Sequence, residues 1–339
     1  MTTHLIYKTS RQTLRRLLSV AVTLFALVGL VSCGEKESLT IASHIWPGYE
    51  FMFLARDEGR LPKEVTLVET ADASNSLQAL KSGKVVGAAL TLDEVLRARS
   101  EGVPLTIVLV FNVSAGADVV LAVDSIKRLS DLRGKRIGAE TSATGALMLA
   151  KLLEAAGLKR SDVTVIPLAI DDQAAAFRQK TIDALITYEP VATQLLANGG
   201  HRIFDSRQIP ETIIDVLAVR TDRLTTLRSG LNGLIEAHFT AQQMMRRNPQ
   251  DVSYRLAKRL GMSGQETLAA FRGLNLPTLD ANRSMLAPGQ SGGLVSGTGR
   301  VAEAARFINI TMVDAGLLKQ QDDLKDLTSP DFLPTGDLR

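Results

Sequence analysis

The sequence predicts an α/β fold built on mostly parallel sheets, and three observations lead to that prediction. Between residues 39 and 220, short apolar runs alternate with segments of helical periodicity, which is the pattern of strands joined by helices. The chain has 339 residues, enough for two domains. Its 45% hydrophobic and 22% charged residues are typical of a globular protein with a sizeable core.

The first 33 residues predict a secretory signal that ends in a lipidation site. Four basic residues and no acidic residue precede Cys33, and residues 17–31 form an apolar run without charge. A basic head, a short apolar stretch and small residues at the cut are typical of a signal peptide. The sequence Leu-Val-Ser-Cys at 30–33 matches the bacterial lipobox, in which the cysteine is acylated and becomes the new N-terminus. The alternative is a transmembrane anchor, but the run is short for a span of about 20 residues.

The cysteine and charge content of the chain limit its expected cellular location and the classes of partner that it can bind. Cys33 is the only cysteine, so an internal disulfide is impossible. We expect acyl chains such as palmitate to anchor a soluble body to the periplasmic face of a bacterial membrane, or to the outer face where the host has one membrane. Of the 39 basic residues, 35 follow Cys33 together with 36 acidic ones. These basic residues form no dense block, so the sequence gives no electrostatic reason to expect nucleic-acid binding.

The first unit of the body contains four predicted strands and three predicted helices. Strands are expected at 39–43, 64–69, 86–90 and 105–110, and helices at 49–58, at 75–82 and from residue 92 on. Gly59 is a stop signal for the first helix. Thr91 followed by Glu94 is a capping box, which predicts the start of the third helix.

The second unit repeats this alternation, and the remainder is helical. Strands are expected at 119–123, 135–139, 163–167, 184–187, 202–204 and 216–220, with helices at 144–156 and 172–178. Pro190 is predicted to open another helix as its first residue. Beyond Arg220, helical patterns continue to Leu318, apart from a loop rich in glycine and serine at 289–299. Residues 326–339 are polar, and we expect them to form a loosely held C-terminal tail.

Five motifs carry a resemblance to a known family. They are Trp-Pro-Gly-Tyr at 46–49, Leu-Ala-Arg-Asp-Glu-Gly at 54–59, Leu-Lys-Ser-Gly-Lys at 80–84, Asp-Leu-Arg-Gly-Lys-Arg-Ile-Gly at 131–138 and Thr-Tyr-Glu-Pro-Val at 187–191. With them the chain resembles periplasmic solute-binding proteins of ABC importers, in the branch that handles nitrate, sulfonates, taurine and thiamine precursors. The resemblance covers roughly residues 39–220.

This resemblance implies a two-lobed type II periplasmic binding protein fold, in which each lobe is a mostly parallel sheet flanked by helices. Two hinge crossings join the lobes, which close on a ligand. After the signal (1–33) and a short tether (34–38), we expect lobe 1 at 39–114 plus 217–325 and lobe 2 at 115–216. The resemblance also implies a monomer that passes a small polar molecule to permease and ATPase subunits.

Ligands of open α/β sheets bind beyond the carboxyl ends of strands, and this rule selects candidate ligand-binding residues. Trp46 and Tyr49 follow the first strand, where an aromatic ring can stack on a ligand or pack against its own helix. Thr91 follows the third strand, but its capping role explains it equally well. Asn112 and Ser114 follow the fourth strand near the first crossing, where they can bend the chain, contact ligand, or both.

The remaining candidates lie in the second lobe and at the second crossing. Thr141, Ser142 and Thr144 precede a long helix, whose N-terminus favours an anionic or polar group; ordinary N-capping is the alternative. Glu189 follows a strand and Asp215 lies at the crossing, unless both are solvated surface residues. Two carboxylates facing the ligand would favour a cation and exclude a free sulfonate. The ligand is therefore open between sulfonate-, nitrate- or taurine-like and amine- or pyrimidine-like molecules.

Catalytic, metal and cofactor chemistry finds little support in the sequence. No pair among the four histidines has metal-ligand spacing, and His238 falls on an apolar helical stripe typical of a core residue. The Gly-x-Ser-x-Gly pattern at 289–293 lacks the preceding strand that a nucleophile elbow requires. We expect no catalytic residue, metal or cofactor. A ligand sensor, or an enzyme resembling pyrimidine synthases on the same fold, remains the alternative.

Overall fold

The computed structural model describes residues 37–140, 143–287 and 299–336. The predicted signal with Cys33, residues 34–36 of the tether, Thr141, Ser142 and all but the last residue of the loop at 289–299 lie outside these ranges. None of the helices in the described ranges combines the length and the apolar content that a membrane span needs.

A six-stranded sheet forms the first lobe. Its strands, in the order β11–β4–β10–β3–β1–β2, are β1 (Leu39–Ser43), β2 (Val65–Glu69), β3 (Gly87–Thr91), β4 (Leu105–Ser114), β10 (Ile214–Arg220) and β11 (Leu274–Asn275). Strand β1 pairs in parallel with β2 and β3, whereas β10 lies antiparallel between β3 and β4. Because β11 is also antiparallel to β4, four of the six strands run in one direction.

A five-stranded sheet forms the second lobe. Its strands, in the order β7–β6–β8–β5–β9, are β5 (Val119–Ala122), β6 (Arg136–Ala139), β7 (Thr164–Pro167), β8 (Ala184–Thr187) and β9 (His201–Asp205). Strand β6 pairs in parallel with β7 and β8, and β5 runs antiparallel between β8 and β9. Four of the five strands share a direction, so the predicted mostly parallel α/β architecture is confirmed for both sheets.

Eleven helices of the described ranges pack around these sheets. They are α1 (Glu50–Asp57), α2 (Ala73–Lys81), α3 (Leu92–Ser100), α4 (Ala143–Ala156), α5 (Ile170–Arg178), α6 (Val191–Leu196), α7 (Arg228–Arg247), α8 (Pro249–Leu260), α9 (Gly264–Phe271), α10 (Leu279–Leu286) and α11 (Arg300–Asp314). Pro190 is the N-cap of α6 and not its first residue, so that detail of the prediction is wrong.

Helix α7 buries its predicted apolar stripe, which includes His238, and burial lowers the pKa of His238 to about 3. His238 is therefore a neutral core residue, with its ring against Phe51, Phe111 and Phe239.

The chain crosses between the two sheets twice, and the crossings are bonded to each other. The first runs from β4 to β5 and the second from β9 to β10. Ser206 Oγ on the second crossing lies 2.8 Å from Ser114 Oγ and accepts the Gly116 N–H at 2.7 Å. The Ser114 N–H also donates to the Ile213 carbonyl at 2.9 Å. Strand β10 pairs in the first sheet from Ile214 on, three residues ahead of the expected boundary at 217.

The C-terminal segment packs against the first lobe from Leu327 to Leu333, so the expectation of a loosely held tail is wrong for these residues. The Ile107 N–H of β4 donates to the Leu327 carbonyl at 2.7 Å, and the Ser329 N–H donates back to Ile107 at 2.9 Å. Leu327, Phe332 and Leu333 are buried in the core of the first lobe. The three buried apolar side chains and the backbone bonds to β4 together hold the segment in place.

We predict that Phe332→Ala lowers the free energy of unfolding by about 2–4 kcal/mol, because truncating a buried aromatic ring leaves a cavity. Chemical denaturation measures the loss, with Asp331→Ala at the neighbouring exposed position as the matched control. Equal stability of the two variants would show that the segment contributes nothing to the fold.

Candidate functional site

A small cavity lies between the two sheets, and side chains of both lobes line it. Its lining consists of His44, Trp46, Tyr49, Ala73, Thr91, Glu94, Asp118, Glu140, Thr144, Tyr188, Ile213 and Asp215. The cavity measures about 30 Å³. One water molecule needs roughly 10–15 Å³ on this scale, so the space suits two or three waters. A larger ligand therefore requires the lobes to separate.

Asp215 organises the first-lobe side of the cavity through a chain of buried hydrogen bonds. The Tyr49 hydroxyl donates to Asp215 Oδ1 at 2.6 Å, and Asn112 Nδ2 donates to Asp215 Oδ2 at 2.7 Å. Trp46 Nε1 in turn donates to Asn112 Oδ1 at 3.0 Å. Burial raises the pKa of Asp215 well above its usual range, against the lowering effect of the bonds from Tyr49 and Asn112. The polar edges of both rings are thereby fixed to the sheet.

Gly48 makes this arrangement possible, because Asn112 packs directly on its α-carbon. A Cβ atom at position 48 would overlap Asn112 Oδ1 and lie 3.0 Å from Trp46 Nε1. The glycine of the Trp-Pro-Gly-Tyr motif is therefore required by close approach.

The two lobes also touch each other directly across the cavity. Thr91 Oγ1 of the first lobe lies 2.7 Å from Thr144 Oγ1, at the start of α4 in the second lobe. Thr144 Oγ1 also lies within donating distance of Asp93 Oδ2, at 3.2 Å. The rings of Trp46 and Tyr188 meet edge to face across the lobes, with centroids 5.8 Å apart. These contacts close the space between the lobes.

Buried carboxyl groups dominate the electrostatics of the site. Burial raises the pKa of Asp118 to about 7, and the charges of Asp93 and Glu189 add to the rise. Burial likewise raises the pKa of Glu140 to about 7, with Asp72 adding and the Tyr188 hydroxyl bond opposing. Burial, reinforced by the neighbouring charge of Asp93, also raises the pKa of Glu94, well above its usual range.

No lysine or arginine stands among the lining residues, all of which belong to the described part of the chain. His44 does not supply a charge either, because burial lowers its pKa to about 4 and leaves the ring neutral at pH 7. The site therefore contains several acids and no counter-charge of its own.

Three polar atoms of the lining have no hydrogen-bond partner among the described residues. They are His44 Nδ1, Asp118 Oδ2 and Glu140 Oε1, and each belongs to a side chain that is at least nine-tenths buried. A buried acceptor without a donor costs about 1–3 kcal/mol. These atoms mark the positions where a molecule with hydrogen-bond donors would be accepted.

The cavity brings together five of the ten ligand-binding residues that we predict from the sequence: Trp46, Tyr49, Thr91, Thr144 and Asp215. Asn112 lies behind Trp46 and orients it, and Ser114 joins the two crossings. Glu189 lies outside the lining, and its two oxygens accept the Thr193 N–H at 3.1 Å and the Thr193 hydroxyl at 3.0 Å. Thr141 and Ser142 fall outside the described residues.

The acidic residues of the lining are largely those that the sequence analysis missed. Glu140 follows β6 directly, so the strand-end rule selects it as clearly as it selects Thr141 one position later. Glu94 accepts the Thr91 N–H at 2.9 Å, as its capping role predicts, and lines the cavity as well. Asp118 precedes a strand, where the rule does not apply.

Comparison with known proteins identifies relatives of this chain. A family model described as NMT1/THI5 like matches residues 63–252. The aliphatic sulfonates-binding protein of Escherichia coli K12 is 26% identical over 212 residues, which cover 60% of this chain and 65% of that protein. The match therefore spans slightly less than two thirds of that relative. The taurine-binding periplasmic protein of the same organism is 25% identical over 252 residues, covering 72% and 74% of the two chains.

A solved structure shows the same fold. The crystal structure of the periplasmic aliphatic sulphonate binding protein SsuA from Escherichia coli aligns with a TM-score of 0.70 at 20% identity. The alignment covers 90% of this chain and 96% of SsuA. It confirms the predicted two-lobed architecture.

We predict that thermal stability falls between pH 5 and pH 8, because Asp118 and Glu140 have folded pKa values near 7, above the value of about 4 in an unfolded chain. Their stabilising contribution is complete below pH 4 and disappears as the pH rises through 7. Each group supplies a slope of up to about 1.4 kcal/mol per pH unit. Calorimetry at constant ionic strength measures it.

The double variant Asp118→Asn with Glu140→Gln should reduce this slope, since neither amide titrates. Asp93 and Glu50 still contribute, because burial raises their pKa values to about 6 and about 8. An unchanged slope in the double variant would place the titrating groups elsewhere in the chain.

Proposed function

Because this chain belongs to the NMT1/THI5-like family, we propose that it is a solute-binding lipoprotein of an ABC importer. In this proposal it captures a small polar molecule between its lobes outside the cytoplasm and presents it to permease and ATPase subunits. The observation that carries the proposal is a cavity with acidic side chains between two sheets, which the described part of the chain connects by two crossings. Ligands preferentially bind at such domain interfaces, and closure of this kind sequesters them.

The names of the relatives support binding and not catalysis as the activity. The two Escherichia coli proteins that align with this chain are binding proteins for sulfonates and for taurine. In our proposal the chain likewise has no catalytic residue and acts as a monomer. The ligand is sulfonate-, nitrate- or taurine-like, or amine- or pyrimidine-like.

We predict that a solute of one of these classes raises the melting temperature of the purified mature protein by mass action. A thermal-shift panel of taurine, ethanesulfonate, nitrate, benzamidine, ethylamine and 4-aminopyrimidine provides the measurement. Trp46→Ala should abolish the shift, because it removes a cavity wall, whereas Phe307→Ala at an exposed position should preserve it.

Two further measurements distinguish the proposed transport function from the alternatives, an enzyme and a ligand sensor. Chemical conversion of a bound solute, detected by mass spectrometry, would favour an enzyme. Binding that alters a membrane receptor in cells and leaves solute uptake unchanged would favour a sensor.

The lipid anchor gives a second prediction. Cys33→Ala should move the protein from the membrane fraction to the soluble extracytoplasmic fraction, because the acyl chains have no other attachment site. Ser32→Ala keeps a small residue at the predicted cut and should stay with the membrane. Fractionation and immunoblotting provide the measurement. Membrane retention of the Cys33→Ala protein would show that residues 17–31 act as an uncleaved anchor.

A further inference from the structure

We infer that the interlobe cavity selects a small organic cation, whose N–H donors pair with the unpartnered oxygens of the Asp118 and Glu140 carboxyl groups, and rejects a free sulfonate. This inference rests on the proposed function and adds the charge of the ligand to it. It departs from the ligand that the name of the sulfonate-binding relative indicates.

The first argument is the charge balance of the cavity. Glu94, Asp118, Glu140 and Asp215 line it, while the lining includes no lysine or arginine and His44 is neutral at pH 7. A sulfonate would add a further negative charge to this acidic and poorly solvated space. A cation favours the ionised form of each carboxyl group and so gains attraction as it binds.

The second argument is hydrogen-bond matching. Asp118 Oδ2 and Glu140 Oε1 are buried acceptors with no donor among the described residues. An ammonium or amidinium group carries several N–H donors and no acceptor, so either oxygen can accept from it. A sulfonate carries only acceptors, so it cannot pair with either carboxyl group in its ionised form, and only a protonated carboxyl group could donate to it.

The third argument concerns two arginines whose charges act on residues of the site, and both are already paired with other acids. The charge of Arg259 contributes to the lowered pKa of His44. Arg259 itself pairs with Glu50 at 2.9 Å and also contacts Glu69. Arg97, whose charge reaches Asp93, pairs with Glu101 at 3.3 Å. Neither residue lines the cavity, so neither can clamp an anion there.

Aromatic side chains of the cavity favour the same chemistry. Trp46, Tyr49 and Tyr188 line the cavity, and the polar edge of each is bonded to the protein: Nε1 of Trp46 to Asn112, the Tyr49 hydroxyl to Asp215 and the Tyr188 hydroxyl to Glu140 at 3.2 Å. With these edges fixed, a ligand meets the aromatic carbons of the rings, on those faces that no neighbouring ring covers. Such faces attract cations, by about 2 kcal/mol when the pair is desolvated.

An organic cation fits this site better than a bare metal ion. Among the described residues, no three His, Cys, Asp or Glu side chains converge in an arrangement that holds a metal. The acids are instead spread over both lobes, next to aromatic rings. That arrangement suits a molecule with a charged nitrogen and an apolar body.

Isothermal titration of the unmodified mature protein tests the inference with probes that differ in charge: benzamidine and ethylamine as cations, ethanesulfonate as the anion. We expect at least one cation to bind and ethanesulfonate to show no binding. Asp118→Asn and Glu140→Gln should each weaken the cation at least tenfold. Glu236→Gln, at an exposed position on α7, is the matched control and should change nothing.

The possible outcomes distinguish failure of this inference from failure of the proposed function. Binding of ethanesulfonate without binding of either cation would overturn the inference and leave the proposed function standing. Failure of all three probes, and of taurine, nitrate and 4-aminopyrimidine, would overturn both. Cation binding that survives both substitutions unchanged would overturn the placement at Asp118 and Glu140. The probe comparison uses the unmodified chain, so it holds even where a variant folds poorly.

Discussion

The carboxylate of Asp215 connects the parts of the chain on which the site depends. It accepts hydrogen bonds from Tyr49, 166 positions away in the sequence, and from Asn112, 103 positions away. Those two bonds hold the loop after β1 and the end of β4 against the start of β10, beside the second crossing. Because the carboxylate is buried, removing either donor would leave a polar group unsatisfied in the interior. The aromatic wall of the cavity therefore depends on this one side chain.

Local patterns predicted the fold class well, since periodicity, caps and strand-end position are short-range properties. The strand-end rule selected Trp46 and Tyr49, which line the cavity, and the position of Asp215 at the second crossing selected a third lining residue. The strand-end rule could not reveal that Glu189 accepts a hydrogen bond from Thr193, four residues later. Nor could it reveal that Asp118, just before a strand, lines the cavity. The docking of residues 327–333 was missed because it depends on long-range packing against β4, which composition does not report.

Likeness in fold does not fix the ligand of this protein. The alignment with SsuA covers nearly all of that chain, yet at 20% identity most side chains differ. A shared fold fixes where a ligand binds, between the lobes, while the lining residues fix its charge. Glu94, in the first turn of α3, and Glu140, directly after β6, both lie beyond the ends of strands, where substitution changes the chemistry of the site without disturbing the sheets.

The hydroxyl of Ser206 has a mechanical consequence. By bonding both the Ser114 side chain and the Gly116 backbone, it ties the two crossings into a single two-stranded ribbon. Two independent linkers would let the lobes slide and twist, whereas two bonded segments bend most easily together. If the crossings bend as one unit, the lobes separate on the side away from them, and a solute enters from that side.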